Sequence, residues 1–211
     1  MRAAFLCALL ALASCNDNAT RHLGLDQVVV APNAQLRTDT VGDDGQPPAS
    51  FVIVDAKSVA SNGAYVSLDG DLLDAHGAII GHLRAQSIWT PPGETRTFVL
   101  VDDQRQARAG AASAKIHVRG VLVPESPPSM HVESIQVRDD FGKAVVTATL
   151  VNDVERPGTI QLLAAFRDST GRPMTRPFSM IPIGGKVSLP VQFVGPQGST
   201  TGTIFIGDMT Y

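Results

Sequence analysis

The stretch LDGDLLDAHG, residues 68–77, places Asp69, Asp71, Asp74 and His76 close together, and His82 follows five residues later. Carboxylates and imidazoles are ligands for divalent cations and carriers of protons, so this is the first place to look for chemistry. A calcium loop needs D-x-D-x-D-G with a distal Glu, and that spacing is absent. Alternation explains the acids more simply. Val66, Leu68 and Leu72 share one strand face, so Asp69 and Asp71 project to solvent, and Asp74 opens a hairpin turn. The five histidines (His22, His76, His82, His117, His131) show no H-x-H, H-x-x-x-H or H-E-x-x-H spacing. His76 and His82 flank one hairpin, but two ligands without a third make a poor metal site. Asp74, His76 and His82 are the candidate cluster if the chain takes a small ligand or a metal at this hairpin or at a junction between domains.

Other catalytic patterns are missing. The two cysteines, Cys7 and Cys15, fall within the first fifteen residues, so the body of the chain has no thiolate and no disulfide. There is no G-x-S-x-G elbow. GPQGSTTG (195–202) lacks the G-K-[ST] ending of a phosphate cradle and is expected to be a loop between strands. Asp102–Asp103 and Asp139–Asp140 are expected in turns. No catalytic residue, metal ligand or cofactor site is assigned, and the chain is not expected to be an enzyme. Lys plus Arg number 17 against 20 Asp plus Glu, a net charge of -3 without a basic run. Phosphate backbones demand a basic footprint, so nucleic acid is not an expected partner.

The elements that must carry these residues are strands. QVVV (27–30), FVIV (51–54), AYVSLDGDLL (64–73), TFVLV (97–101) and KIHVRGVLV (115–123) are rich in β-branched and aromatic residues and bounded by turn signals. PESPP (124–128) cannot continue a sheet and reads as a short, stiff linker. After it the chain replays itself. Asp74 and Gly77 correspond to Asp168 and Gly171 at a constant offset of 94, and Val66, Leu68, Gly70 and Leu72 fall on Ile160, Leu162, Ala164 and Phe166. IWTPPGE meets MIPIGGK, aligning Trp89 with Ile181 and placing it in the core, and AKIHVRG meets GTIFIGD. The expected fold is all-β. Two tandem immunoglobulin/fibronectin-III-like β-sandwich domains would span 26–123 and 129–211, with the linker at 124–128 between them. The chain lacks the Cys–Trp–Cys signature of antibody domains.

Residues 1–14 begin with Met1 and Arg2, continue through an apolar run from Ala3 to Leu12, and end in small residues. The run is about half the ~20 residues a spanning helix needs, so it reads as a signal peptide. Two cuts compete. Ala11-Leu12-Ala13 is an A-x-A site that would leave Ser14 first. Leu12-Ala13-Ser14-Cys15 resembles the lipobox of bacterial lipoproteins at all four positions. That resemblance implies a diacylglyceryl group on Cys15, cleavage before it, and a lipidated polar tether over 15–25. Two or three acyl chains, at ~0.8 kcal/mol per buried CH₂, hold a chain on a membrane where one is marginal. Asn16 follows the cysteine where Asp signals inner-membrane retention in the enteric version of this system, so outer-membrane sorting is favoured over inner. The D-x-x-G hairpins followed by PG or GG turns resemble the FxLYD and YcfL-like envelope domains. TLVND (149–153), AFRDSTG (165–171) and PIGGK (182–186) carry the resemblance best. It implies a fold and no particular activity. The reading is therefore a membrane-anchored bacterial envelope lipoprotein of non-enzymatic accessory or protein-interaction type, its partner another envelope protein. The alternative is a periplasm-facing small-ligand or metal-binding protein using the hairpin cluster or the domain junction.

Overall fold

The computed structural model describes residues 21–40 and 47–210; the signal segment, Cys15 and the first part of the tether lie outside the described residues. The chain is all-β. Among the described residues fifteen strands run in order as β1 (Arg21–His22), β2 (Val28–Val30), β3 (Gln35–Thr40), β4 (Pro48–Ser58), β5 (Ala64–Leu73), β6 (Ile79–Thr90), β7 (Thr95–Val101) and β8 (Ser113–Val123). They continue as β9 (Met130–Asp139), β10 (Lys143–Asn152), β11 (Gly158–Arg167), β12 (Pro173–Thr175), β13 (Phe178–Ile183), β14 (Ser188–Gln197) and β15 (Thr201–Thr210). One 3-10 turn, Leu25–Gln27, is the sole helical element among the described residues. No described helix is long and apolar enough to cross a membrane.

All pairings among the described residues are antiparallel, and they form four sheets. Sheet A has the order β1-β8-β5-β6, and sheet B places β4 between β7 on one side and β2 and β3 on the other. Sheet C is β14-β10-β9, and sheet D sets β11 between β15 and the pair β12 and β13. Every ladder among the described residues closes on one side of the proline-rich segment 124–128. Sheets A and B enclose one apolar core, built on Val52, Val54, Leu68, Leu72, Phe98 and Leu100. Sheets C and D enclose another, built on Val146, Leu150, Ile160, Leu162, Phe166 and Ile204.

The two pairs of sheets, A with B and D with C, share connectivity and register. Central β5 pairs β6 and β8 as β11 pairs β13 and β15, and β4 sits between β3 and β7 as β10 sits between β9 and β14. Gly70 faces Ile116 while Ala164 faces Ile204, and both ladders carry a bulge at the same place, Ser67/Leu68 and Gln161/Leu162. Both hairpin turns are built alike. The Asp74 carboxylate accepts from the backbone N–H of His76 and Ala78, and the Asp168 carboxylate from those of Thr170 and Arg172. Gly77 and Gly171 stand at φ 81° and 80°, the left-handed region that costs a residue with a Cβ about 1 kcal/mol.

Burial breaks the alternation in two strands. In β4 the core-facing Val52, Val54 and Ala56 are buried, and so are Phe51, Ile53 and Asp55, which point the other way. In β11 the outward Leu163 and Ala165 are buried as fully as the inward Leu162 and Ala164. Leu163, Ala165 and Phe205 join the core of sheets A and B, and Arg167 reaches Asp55. Sheet D therefore lies against sheet B, where Gln35 and Arg37 also donate to the carbonyls of Pro173 and Met174, and β15 lies beside β6 of sheet A. Strands covered on both sides lose their polar alternate positions, which is why FVIV and LLAAF read as continuous apolar runs.

Three expectations change in detail. The described end of the tether is docked: Arg21 and His22 pair with Val123 and Leu122, and the Leu23 N–H donates to the Val121 carbonyl. Trp89 is not in the core. It stands between buried Ile88 and Thr90 and points outward, and Ile88, paired with Val66, is the register equivalent of Ile181, paired with Ile160. Only the middle of 195–202 is a turn, because Gly195 ends up inside β14 and Gly202 inside β15. A Cβ at either glycine would press on the Phe166 ring.

Candidate functional site

Two groups of polar side chains stand out, one sealed between sheets B and D and one open on sheet A. The sealed group centres on Asp55 in β4. Arg167, at the end of β11, meets it with both terminal nitrogens at 2.6 and 2.8 Å. The Thr97 hydroxyl donates to the same carboxylate at 2.6 Å, as does the Asn33 amide at 2.6 Å. Burial pushes the Asp55 carboxyl up, but hydrogen bonds from Arg167, Thr97 and Asn33 and the guanidinium charge outweigh it and hold the group below its ordinary value. Nearby, the Arg96 guanidinium lies 5.0 Å from the centre of the Phe205 ring, and Gln35 and Arg37 donate to the carbonyls of Pro173 and Met174. Every lone pair faces a donor. This is a clamp, with no open coordination position for a reactant.

A second buried acid, Asp102, does the same for the loop after β7. Its carboxylate accepts from the Arg108 side chain at 2.6 Å and from the backbone N–H groups of Gln104 and Gln106. Burial raises its pKa, while the bond from Arg108 and the two backbone donors lower it further, so the net direction is down. Asp102, expected in a turn, opens one and is its fully buried hub. Asp139 fits the expectation, accepting from the Gly142 N–H across the β9–β10 hairpin.

The open group lies on the outer face of sheet A, in rows set by register. Trp89, Tyr65 and Leu122 form the first row, and Ser87, Ser67 and Gly120 the second. Asp69 and His117 form the third; His82, Asp71 and Lys115 form the fourth. Tyr65 and Trp89 meet edge to face at 5.5 Å between ring centres. The Ser67 hydroxyl donates to Ser87 at 3.0 Å. His82 Nδ1 is 2.7 Å from Asp71, while His117 approaches Asp69 at 3.6 Å and Asp71 at 3.9 Å. Arg119 adds a longer contact to Asp69 at 3.9 Å.

The hairpin cluster Asp74, His76 and His82 is not assembled. Asp74 spends one carboxylate oxygen on its own turn, and His82 turns to Asp71. What the sequence missed is His117, which β8 carries to the far side of Asp69 and Asp71; only the β5–β8 register reveals it. No group of three or more His, Cys, Asp or Glu side chains among the described residues is disposed to hold a metal ion. At the junction a cleft of about 430 Å³ is lined by Gln35, Leu36, Val52, Ala112, Ser113 and Arg172, and Asp74, His76 and His82 do not line it. The arrangement defines an antiparallel β-sandwich protein with one sealed and one open outer face. No protein-family model matches the chain, and no curated protein matches it.

Proposed function

We propose that this chain is a lipid-anchored bacterial envelope protein of non-enzymatic, accessory type that engages another envelope protein. The observation that carries the reading is the complete Leu12-Ala13-Ser14-Cys15 match directly after a signal-length apolar run, in a chain with no cysteine beyond it. Residues 1–14 are removed, Cys15 bears the lipid, and Asn16 directs sorting to the outer membrane. From Cys15 to the docked Arg21 is six residues, a reach of at most about 20 Å, so the folded body stays close to the bilayer.

The body is two sandwich domains, 26–123 and 129–211, coupled through the B–D interface. The ladders closing on either side of 124–128 support this division. Residues Ser113–Gly120 of β8 have a ladder partner on one side only among the described residues, which suits strand addition by a partner. Two other edge strands, β13 and β14, carry prolines that cannot donate to such pairing, Pro182 and Pro190. The test is fractionation of cells making the protein or its Cys15→Ser variant. The wild type should pellet with membranes and be released by detergent, and the variant should be soluble or remain unprocessed at its signal. A wild-type protein that fractionates as soluble, or a processed Cys15→Ser variant that still pellets with membranes, overturns the reading.

A further inference from the structure

We propose that the outer face of sheet A binds a neutral oligosaccharide, with Trp89 as its stacking platform. In the second sandwich the corresponding face, on sheet D, holds Leu163, Ala165 and Phe205 and is buried against sheet B. At the same register positions sheet A holds Asp69, Asp71 and His117, half-buried and without a covering layer among the described residues. The aromatic pair is not something the fold requires either. Tyr65 and Trp89 correspond to Thr159 and Pro182, paired at the same place in the second sandwich.

The platform is held in place. Trp89 and Tyr65 meet edge to face, and the six-membered part of the indole sits where a Cβ on Gly63 would collide with it. A fixed aromatic surface beside hydroxyl, carboxylate and imidazole groups suits a pyranose ring. The axial C–H face of a sugar with equatorial substituents packs on the indole, and its hydroxyls find donors and acceptors in Ser67, Ser87, Asp69 and His117. Gly120 completes the second row without a side chain, and a Cβ there would touch nothing, so the surface is open to a close approach. From Tyr65 to Asp71 the strand runs about 20 Å, room for a short oligosaccharide.

Charge selects the class of ligand. Asp69 and Asp71 are matched on the same face by Lys115 and Arg119, and the two acids also meet His117 and His82. With its ionised groups cancelling locally, the face has little to offer a phosphate polymer or a strongly charged peptide. Beyond the two rings it is too polar for an apolar protein interface. A neutral polyol makes use of both halves. This proposal does not depend on the anchoring of Cys15.

Trp89 is the only tryptophan in the chain, so its emission reports on the platform directly. Full-length protein in detergent micelles would be titrated with chitotetraose and with cellotetraose. The expected result is a saturable change in Trp89 emission with at least one of them, at a dissociation constant in the millimolar range or tighter. Ser87→Arg, which fills the exposed second row without touching either core, should weaken binding at least tenfold with circular dichroism and thermal midpoint unchanged. Trp89→Ala, followed by calorimetry, should abolish binding. Silence toward both sugars at millimolar concentration overturns the proposal, as does undiminished binding by Ser87→Arg. An emission change that follows protein concentration without sugar, and disappears in Ser87→Arg, would assign the face to a second copy of the chain and overturn it equally.

Discussion

The outer faces of sheets A and D are built on the same register, yet they have opposite fates. Asp69, Asp71 and His117 on one occupy the positions of Leu163, Ala165 and Phe205 on the other. The first set is wet, loosely paired and open. The second is dry and belongs to the apolar cluster that holds Val54, Phe98 and Leu100 of sheet B. Strand geometry alone therefore does not decide what a sheet face is for; whether another layer covers it does. The same contrast divides the ion pairs. Asp55–Arg167 is bidentate and enclosed, whereas His82–Asp71 has a histidine side chain 66% exposed, where solvent screening leaves little net energy.

Writing the face of one sheet onto the other should produce the largest effect. Leu163→Asp places a carboxylate in a dry layer without a partner, and we expect a loss of about 3–5 kcal/mol in urea unfolding. The reverse change, Asp69→Leu with His117→Phe, should leave stability within about 1 kcal/mol and promote self-association visible by sedimentation, because it creates an exposed apolar patch.

Next in size is the clamp. Arg167→Met strands the buried Asp55 carboxylate and should cost about 3 kcal/mol, measured the same way at neutral pH. Its pH dependence has a definite sign. Asp55 and Asp102 are held below their unfolded values near 3.9, so their contribution is complete above that value and is lost as pH falls through and below it. Acid titration of the wild type should show stability declining below about pH 4. The Arg167→Met curve should decline less over the same window, and identical curves would remove Asp55 from the account.

The matched turns sharpen the comparison at smaller scale. Gly77→Ala and Gly171→Ala should each cost about 1 kcal/mol, and nearly the same amount, since both glycines sit at the same left-handed φ with open space around them. Smallest of all, Asp71→Asn should change stability by less than about 0.5 kcal/mol, because its partner His82 lies at the surface.

Much of the architecture was legible where one strand face alone is covered. AYVSLDGDLL alternates strictly, and β5 spans those ten residues, Ala64–Leu73. The periodicity also put Asp69 and Asp71 outward and Asp74 into its turn. FVIV marked a strand but understated it, because β4 runs Pro48–Ser58 with both faces covered and so has no polar phase to read. The signal for the B–D interface was an acid inside an apolar run, Asp55 after FVIV, and an Arg closing another, Arg167 after LLAAF. Trp89 was displaced by one register position, enough to exchange core for surface in a strand. His117 could not be joined to Asp69 from the sequence, since 48 residues separate them and only the β5–β8 ladder brings them together.

The proposed function rests on one residue, and the intact mass of the mature protein tests it most directly. Taken from its native membrane, the chain should begin at Cys15 and carry the added mass of a diacylglyceryl group, with or without a further acyl chain on its amine. A mature chain that begins at an unmodified Ser14, or one that retains Met1 through Ser14, would contradict the account.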